Sequence, residues 1–371
     1  MYLTNLALLN FKNCQELSFD FSNRVNCFLG KNGQGKTNVL DSIHYLSYTK
    51  SFFNSIDSQN ILFEAPFLAI QAKCKLNDDV FDLHCGMKRG DKKIFRKNKK
   101  AYKKLSEHIG FMPAVMITPY DINLILDGSD IRRKFIDALI SQFERSYLDE
   151  LIFYNRLLLQ RNKLLKKWSD TNSFQPDLLE VIDIQLVEKG NNIYNRRKTF
   201  LNDFIPEFNN FYQKLSNSNE KVELIYDSSL NDNDFATILK ESIQKDLRIT
   251  HTSVGIHKDD LLFKIHSYPL KKYGSQGQQK SFLIALKLAK FHFIKNQKGF
   301  APILLLDDIF DKLDNQRVSY LLKLIENEDL GQTFITDTDL EKIPSILKSM
   351  NVDFKAFELN DGLAVQLQNE L

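Results

Sequence analysis

A glycine-rich pattern with the spacing of a phosphate-binding loop occupies residues 30 to 37, which read GKNGQGKT. It fits GxxxxGK[ST] at every position, follows the apolar stretch at residues 24–29 and leads into a helix-like stretch at residues 37–46. Glycines let backbone N–H groups approach phosphates closely, and a helix that begins there adds a favourable dipole. The pattern therefore predicts a nucleotide site formed by Gly30, Lys31, Asn32, Gly33, Gln34, Gly35, Lys36, Thr37 and Asn38.

Such a loop binds ATP together with Mg²⁺, and its residue types give each side chain a task. Lys36 is expected to reach the β- and γ-phosphates and to act in catalysis, while the Thr37 hydroxyl ligates the metal. The apolar run at residues 302–306 ends in Asp307 and Asp308, as expected of a strand buried on both faces. Asp307 is predicted to hold Mg²⁺, and Asp308 to polarise the attacking water. Two acids can also simply end a strand, but the nearby loop pattern favours the catalytic interpretation.

A second segment with anion-binding character lies at residues 274–281, GSQGQQKS, just before the apolar stretch at residues 282–294. A serine hydroxyl, a glycine N–H and a helix start together suit an anion, although a serine-capped helix after a glutamine-rich turn looks the same. The segment resembles the Ser-Gly-Gly-Gln signature of ABC ATPases, with Gln276 replacing the first glycine. That resemblance implies that a partner subunit's γ-phosphate is contacted by Ser275, Gln276, Gly277 and Gln278.

The elements that must position these motifs divide the chain into two kinds of sequence. The first 120 residues are strand-rich, with alternating segments such as residues 67–76 and 80–90 and a turn near Asn98, and strands return from Lys221 onward. Between them lie helix-like stretches that run to Ile205, interrupted only by Pro176 and Gly190. This layout predicts an α/β fold with an inserted, mainly helical lobe, and the resemblance to the ABC signature implies that the α/β part is an ABC-type P-loop ATPase head. The predicted ATPase lobe is discontinuous, residues 1–118 and 250–371, and the helical lobe is residues 119–249.

The composition indicates where in the cell the protein is found more clearly than it indicates which reaction the protein catalyses. The chain has 371 residues and a formal net charge of +3, which does not by itself indicate a nucleic-acid partner. It lacks both an apolar run long enough to span a membrane and the features of a signal peptide, so no membrane association is expected. The cysteines have neither zinc-ligand nor disulfide spacing, which favours a reducing cytoplasm. They are Cys14, Cys27, Cys74 and Cys85.

The distribution of basic residues along the chain is more informative about a nucleic-acid partner than the net charge. Between Lys88 and Lys104 there are ten basic residues and one acid, Asp91. A run of this kind could supply salt-sensitive contacts to DNA phosphates, or it could be a solvated hairpin. Taken alone, the run favours the solvated hairpin, and a rival basic surface is offered by Arg132, Arg133, Arg156 and Arg161.

Further segments resemble the RecF family, bacterial recombination and gap-repair ATPases related to SMC proteins. The resemblance runs in order from about residue 3 to residue 340. The segments are residues 9–13, 118–125, 128–129 with 132–137, 160–165, 255–261 and 306–314.

The resemblance implies slow hydrolysis of ATP to ADP and phosphate and ATP-dependent dimerisation on double-stranded or gapped DNA. It also implies cooperation with RecR and RecO, RecA loading at gaps, and roles in DNA replication, recombination, damage repair and the SOS response. Three positions depart from the expected pattern. Residues 118–121 include no Q-loop glutamine, Asp337 stands at the switch position, and His257 with Lys258 stands where His-Arg is expected.

Two other functions remain open. The ATPase subunit of an ABC transporter would share the P-loop and the acids. It would also be expected to have the Q-loop glutamine, the switch histidine and a shorter path from Lys36 to Ser275. A nucleotide-gated DNA clamp with negligible turnover would share every motif, because the same groups serve binding and hydrolysis. An SMC-type head with a long antiparallel coiled coil is excluded by the length of the middle segment.

Overall fold

The computed structural model of the chain describes residues 1–171, 173–216, 220–310, 315–327, 330–360 and 362–367. Strands predominate in the first 120 residues and return after Lys221, as the sequence pattern predicts. The strands are β1 (Tyr2–Phe11), β2 (Cys14–Asp20), β3 (Val25–Leu29), β4 (Phe67–Leu76), β5 (Asp79–Lys88), β6 (Ile94–Lys97), β7 (Lys100–Ala101), β8 (Ala114–Ile117), β9 (Val222–Asp227), β10 (Asp260–Ile265), β11 (Tyr268–Pro269), β12 (Ile303–Asp307), β13 (Thr333–Asp337), β14 (Phe354–Asn360) and β15 (Leu363–Gln366).

The helices are concentrated in the middle of the chain. They are α1 (Lys36–Tyr48), α2 (Asn123–Leu126), α3 (Ser129–Ser141), α4 (Arg145–Thr171), α5 (Pro176–Ser216), α6 (Phe235–Glu241), α7 (Ile243–Ile249), α8 (Leu270–Tyr273), α9 (Gln276–Lys298), α10 (Asn315–Glu326) and α11 (Lys342–Ser349). Single turns of 3₁₀ helix lie at Asp57–Asn60, Leu105–Glu107 and Pro119–Ile122. No helix of the described residues is both long and apolar enough to cross a bilayer.

The chain forms two compact units, and unit 1 combines Met1–Asp121 with Ile284–Leu371. Its first sheet has the order β2-β1-β4-β5-β6-β7, and its neighbouring strands are antiparallel. Its second sheet has the order β15-β14-β3-β13-β12-β8 and is parallel except for β15. The central strands β3, β12 and β13 are buried at every residue, as expected for a parallel sheet covered on both faces.

The core of unit 1 joins side chains from both sheets and from α1. Phe19 of β2 packs edge-to-face on Phe28 of β3 and on Phe357 of β14, with ring-centroid distances of 5.2 and 5.3 Å. The antiparallel sheet therefore packs against the parallel sheet. Leu40 and Ile43 of α1 are fully buried in the same cluster. Because burial of each such side chain contributes about 1.5–3 kcal/mol, this packing fixes where β3 ends and α1 begins.

Unit 2 comprises Ile122–Leu283 and contains a long helical pair, α4 and α5. A buried polar network supports it. Arg161, with no exposed surface, binds Asp183 at 2.7 Å, Asp246 at 2.6 Å and Thr252 at 3.0 Å. Since a buried guanidinium is stable only when its donors are satisfied, the network fixes α4 against the segment that precedes β10.

The boundaries of the two units can be set beside those of the predicted lobes. The predicted boundary after residue 118 lies near the observed one after Asp121, whereas the predicted return at residue 250 falls inside unit 2. The reason is strand pairing. The order β11-β10-β9 forms a separate antiparallel sheet, so β10 and β11 do not join the sheets of unit 1.

Candidate nucleotide-binding site

The carboxyl ends of three neighbouring parallel strands meet at one edge of the second sheet. The phosphate-binding loop follows β3, Asp307 ends β12, and Asp337 ends β13. Ligands of open parallel sheets bind at such edges. The fold thus brings together the loop residues and both predicted acids, although they are separated by most of the sequence.

Backbone geometry explains the glycines of the loop. Gly30 has φ of 132°, and a Cβ there would lie 2.5 Å from the carbonyl oxygen of Leu359, so no other residue fits. Gly33 and Gly35 have φ of 86° and 98°, the left-handed region that glycine adopts without strain. Gly35 is the N-cap of α1. The loop therefore ends at a helix N-terminus, where the dipole favours an anion.

The Lys36 ammonium lies within this loop. Its Nζ donates to the carbonyl oxygens of Gly30 at 2.5 Å and Lys31 at 3.0 Å, and the residue is buried. Burial lowers the pKa of Lys36, while the carboxylates of Asp308, Asp307 and Asp337 oppose that change. A cation held among loop carbonyls at this edge can instead bind phosphate oxygens, so its position fits a nucleotide.

Thr37 and Asp307 form the centre of the site. The Thr37 hydroxyl donates to Asp307 Oδ1 at 2.8 Å, and the Thr336 hydroxyl donates to the same oxygen at 3.0 Å. Burial raises the pKa of Asp307, and these two hydrogen bonds oppose the rise. Hydroxyl and carboxylate oxygens in contact are the donors that Mg²⁺ prefers, so this pair fits the metal.

Sequence reasoning missed Thr336. It pairs with Asp307 across β12 and β13, and its oxygen also accepts the backbone N–H of Asp308 at 2.9 Å. One hydroxyl therefore fixes the positions of both acids. A small hydroxyl residue near the end of a buried apolar strand was the available signal, but its pairing partner was not evident from the sequence.

Asp308 begins immediately after the strand and turns the chain. Its φ of 48° lies in the left-handed region, which non-glycine residues rarely adopt. Aspartate and asparagine tolerate this conformation better than most residues. The turn places Asp308 at the sheet edge, close enough to Lys36 for the two charges to interact.

Asn13 is a second residue that sequence reasoning did not assign to the site. Its side-chain amide donates to Gly33 O at 3.1 Å and its Oδ1 accepts from Asn38 at 2.6 Å, so it supports the loop from outside. A cleft of about 1000 Å³ lies beside it. The cleft is lined by Leu9, Asn10, Asn13, Gln15, Glu16, Asn32, Gly33, Gln34, Gly362 and Leu363. Its size and its border with the loop suit the remainder of a nucleotide.

The signature-like residues lie in unit 2, at the start of α9. Ser275 Oγ accepts the N–H of Gln278 at 3.2 Å, and Gln278 Oε1 accepts the N–H of Ser275 at 2.7 Å. This reciprocal pair is a capping box. Glu220 fixes the glutamine by accepting from its Nε2 at 2.8 Å. Ser275 and Gln276 are exposed, and Gly277 lies in the first turn of the helix, so the element is presented at the surface.

The segment without a Q-loop glutamine has a different buried contact. Asp121 forms an ion pair of 2.6 Å with Lys287, and each side chain is 5% exposed. Lys287 also donates to Met116 O at 2.8 Å. At the switch position, Asp337 is buried and accepts the N–H of Asp339 at 2.9 Å. Asp314, at the end of the segment at residues 306–314, is expected at the contact between two chains, but it lies outside the described residues.

The chain is similar to known proteins over almost its whole length. The sequence profile of the RecF/RecN/SMC N-terminal domain family matches residues 2–355. The DNA replication and repair protein RecF of Flavobacterium johnsoniae is 50% identical over 359 residues, which cover 97% of this chain and 100% of that protein. The RecF protein of Bacteroides fragilis is 43% identical over 371 residues, which cover 100% of both chains.

Solved structures show the same relationship. A structure of the recombination mediator protein RecF with ATP, described as part of the RecFOR pathway, matches with a TM-score of 0.90 and 31% identity. The match covers 99% of this chain and 98% of that one. An SMC head bound to the C-winged helix domain of ScpA, 17% identical over 100% of this chain and 98% of that one, has a TM-score of 0.58 and shares the fold alone. The predicted resemblance and the predicted ABC-type α/β head are confirmed, and the chain belongs to the RecF family.

Proposed function

We propose that this protein is a slow ABC-type ATPase that dimerises when ATP is bound and acts on duplex or gapped DNA during repair. The observation that supports this most directly is the contact between Thr37 and Asp307 beside the Lys36 ammonium. The three groups come from two different motifs, and their combination matches what a magnesium-bound triphosphate requires.

Each residue of the site has a proposed role. Backbone groups of residues 30–38 surround the phosphates, Lys36 binds the β- and γ-phosphates, and Thr37 and Asp307 ligate Mg²⁺. When bound, the metal neutralises phosphate charge. Asp308 accepts a proton from the attacking water, for which its place directly after the metal-binding acid is suitable. Thr336 keeps both carboxylates in position through its two hydrogen bonds.

A second copy of the chain completes the site in this proposal. Ser275, Gln276, Gly277 and Gln278 form an exposed helix start that suits an anion, while the phosphate-binding loop already provides one. One triphosphate does not need two such elements from the same chain. The signature-like element of each copy therefore binds the γ-phosphate held by the other copy.

The biological setting follows from family membership. The relatives are DNA replication and repair proteins, and the solved RecF structures belong to a recombination mediator in the RecFOR pathway. We extend to this protein association with RecR and RecO, help in loading RecA at gaps, and a role in the SOS response. Because this work requires ATP and chromosomal DNA, we expect it to take place in the cytoplasm.

A nucleotide-gated clamp with negligible turnover is the alternative to an ATPase. ATP hydrolysis measured with and without gapped duplex DNA separates them, alongside light scattering of the apo, ATP-bound and ADP-bound protein. The ATPase proposal expects dimers with ATP, fewer with ADP, and measurable phosphate release. Dimers on DNA without phosphate release would favour the clamp. Failure to bind ATP at all would overturn both.

A further inference from the structure

The basic segment from Lys88 to Lys104 is not one uniform surface. The chain reverses once between β5 and β6 and again at Asn98 and Lys99, between β6 and β7. Three of the cations are used inside the fold. Lys93 donates to Thr49 O at 2.5 Å and pairs with Asp57 at 2.8 Å, Arg89 donates to two backbone carbonyls, and Lys97 lies 4.2 Å from the ring centroid of Phe111.

Four other lysines surround the second reversal, and we call them the lysine turn: Lys99, Lys100, Lys103 and Lys104. All four are exposed. Within the described residues, none of them forms an ion pair or a side-chain hydrogen bond. Their charges are therefore available to a partner, and their number is high for so short a segment.

The backbone of the lysine turn is strained at its tip. Asn98 and Lys99 have φ of 49° and 66°, and Lys97 pairs with Lys100 across the hairpin. A two-residue hairpin with positive φ at both central positions strongly favours glycine at the second one. Lys99 occupies that position instead, and two lysines face each other beside it, which is also unfavourable. Strain of this kind persists where a functional contact requires the residue.

The backbone at the tip of the lysine turn is held in place by two hydrogen bonds. Asn98 N–H donates to Asp82 O at 2.8 Å, and Asp82 N–H donates to Asn98 Oδ1 at 2.9 Å. One strand of the hairpin, β6, is also paired to β5. Less rotational freedom is lost when a pre-ordered turn binds, so the lysines suit a regular array of negative charges.

The rival basic surface in unit 2 is largely committed to the fold. Arg132 binds both carboxylate oxygens of Asp260 at 2.7 and 2.9 Å, and Arg133 donates to Ser129 and to Asp259 O. Arg161 is completely buried. Of the four arginines considered there, only Arg156 is exposed. That surface therefore offers few charges to DNA.

The lysine turn lies at the β7 edge of its sheet, with β4, β5 and β6 between it and β1, the strand that leads to the nucleotide site. The carboxyl end of β1 leads to Asn13, which contacts Gly33. The other end of β1, at Tyr2, pairs with the end of β4 that neighbours the start of β5. Lys97 pairs with Leu83, which the register places level with Leu6, so the turn at Asn98 and Lys99 lies near the middle of β1, on the side of Tyr2. A polyanion bound there leaves the phosphate-binding loop open to ATP.

We propose that the lysine turn contacts the phosphate backbone of duplex DNA, without reading its sequence. This rests on the proposed function, which supplies DNA as the partner. Lysine contacts to backbone phosphates release counterions, so affinity falls with salt in proportion to the number of phosphates neutralised.

The test compares two triple variants with the same change of charge. Lys99→Gln, Lys100→Gln and Lys103→Gln remove charge from the lysine turn, and Lys163→Gln, Lys166→Gln and Lys167→Gln remove it from an exposed face of α4. Binding to a fluorescent duplex is measured with ATP over a salt series. The first variant should bind more weakly on any sequence. Its slope of log affinity against log salt should become shallower by about 0.9 for each phosphate that the variant no longer neutralises.

One substitution distinguishes the effect of Lys99 on backbone strain from its effect on DNA binding. Lys99→Gly suits the positive φ, so it should keep or raise the melting temperature while weakening DNA binding. An unaltered salt slope in the lysine-turn variant, or an equal loss of affinity in the α4 variant, would overturn the inference while leaving the proposed function intact. Wild-type protein that binds no duplex at all would instead contradict the proposed function.

Discussion

At the scale of single residues, Lys36 allows the clearest separation of nucleotide binding from folding. Replacing Lys36 with alanine removes the ammonium that the loop holds beside Gly30 and Lys31. We expect ATP affinity to fall by about 100-fold or more, the loss expected when a charged hydrogen bond to phosphate is removed. Fluorescent nucleotide titration measures it, and Lys50→Ala is the matched control, because the Lys50 side chain is exposed beyond the C-terminal end of α1, away from the loop. A folded Lys36→Ala protein with normal affinity would refute the loop assignment.

Asp308 permits a similar separation of binding from hydrolysis. Asparagine tolerates the left-handed backbone found there, so Asp308→Asn should keep the geometry while removing the base. We expect normal ATP binding, turnover lowered by about 100-fold or more, and accumulation of the ATP-bound dimer. Phosphate release and light scattering measure these effects. Asp307→Asn should behave differently and weaken magnesium-dependent binding. Wild-type turnover in Asp308→Asn would mean that another group acts as the base.

What sequence alone could predict at this scale depended on how local each signal was. The GxxxxGKT loop and the two acids after an apolar strand are contiguous patterns, so their residues could be named. Thr336 acts on Asp307, 29 positions away, through strand pairing, and Asn13 acts on Gly33, 20 positions away, through a side-chain contact. Nothing in their immediate neighbours distinguishes them from ordinary strand and turn residues.

At the scale of elements, the first turn of α9 depends on a residue far away in the sequence. Glu220 accepts from Gln278 at 2.8 Å and from the Tyr212 hydroxyl at 2.7 Å, and Gln278 in turn caps the helix. We expect Glu220→Ala to cost about 1 kcal/mol of stability and to weaken ATP-dependent dimerisation several-fold. The ATP affinity of the monomer should stay normal, because the phosphate-binding loop belongs to unit 1.

A double-mutant cycle gives this prediction its control. Gln278→Ala should reproduce the loss of dimerisation, and the double variant should lose little more than either single one. Thermal unfolding and light scattering report the two effects separately. Additive losses in the double variant would mean that Glu220 acts on something other than Gln278.

The predicted elements agree with the structure where periodicity was strong, and differ where context overrides it. The strand-rich first part, the turn near Asn98 and the buried strand at Ile303–Asp307 are present. The sequence predicts that Gly190 interrupts a helix, yet Gly190 lies inside α5. A Cβ there would meet Phe235 at 2.4 Å, so the glycine permits close packing rather than ending the helix. Pro176 instead begins α5, where its missing N–H costs nothing.

At the scale of the whole molecule, sequence pattern could not decide which strands share a sheet. The predicted ATPase lobe resumes at residue 250 and therefore includes β10. In the structure β10 pairs with β9, so unit 2 extends to Leu283. Alternation identifies a strand without identifying its neighbour. The discontinuous ATPase unit was nonetheless predictable, because the loop and the acids must meet although they lie at opposite ends of the chain.

The site proposed here needs two chains, and a pair of complementary variants tests that requirement. Ser275→Arg places a bulky side chain at the start of α9 but leaves the phosphate-binding loop of its own chain unchanged. It should bind ATP nearly normally as a monomer and fail to dimerise. Lys36→Ala alone should also fail to dimerise, because it cannot bind ATP tightly.

In a mixed dimer, the loop of the Ser275→Arg chain faces the intact signature-like element of the Lys36→Ala chain. One complete site is thereby restored, and light scattering together with phosphate release should detect it. The opposite site contains both changes and stays inactive, so turnover per dimer should remain below that of wild type. ATP-dependent dimers of Ser275→Arg alone, as abundant as those of wild type, would exclude a shared site, as would a mixture no more active than its components.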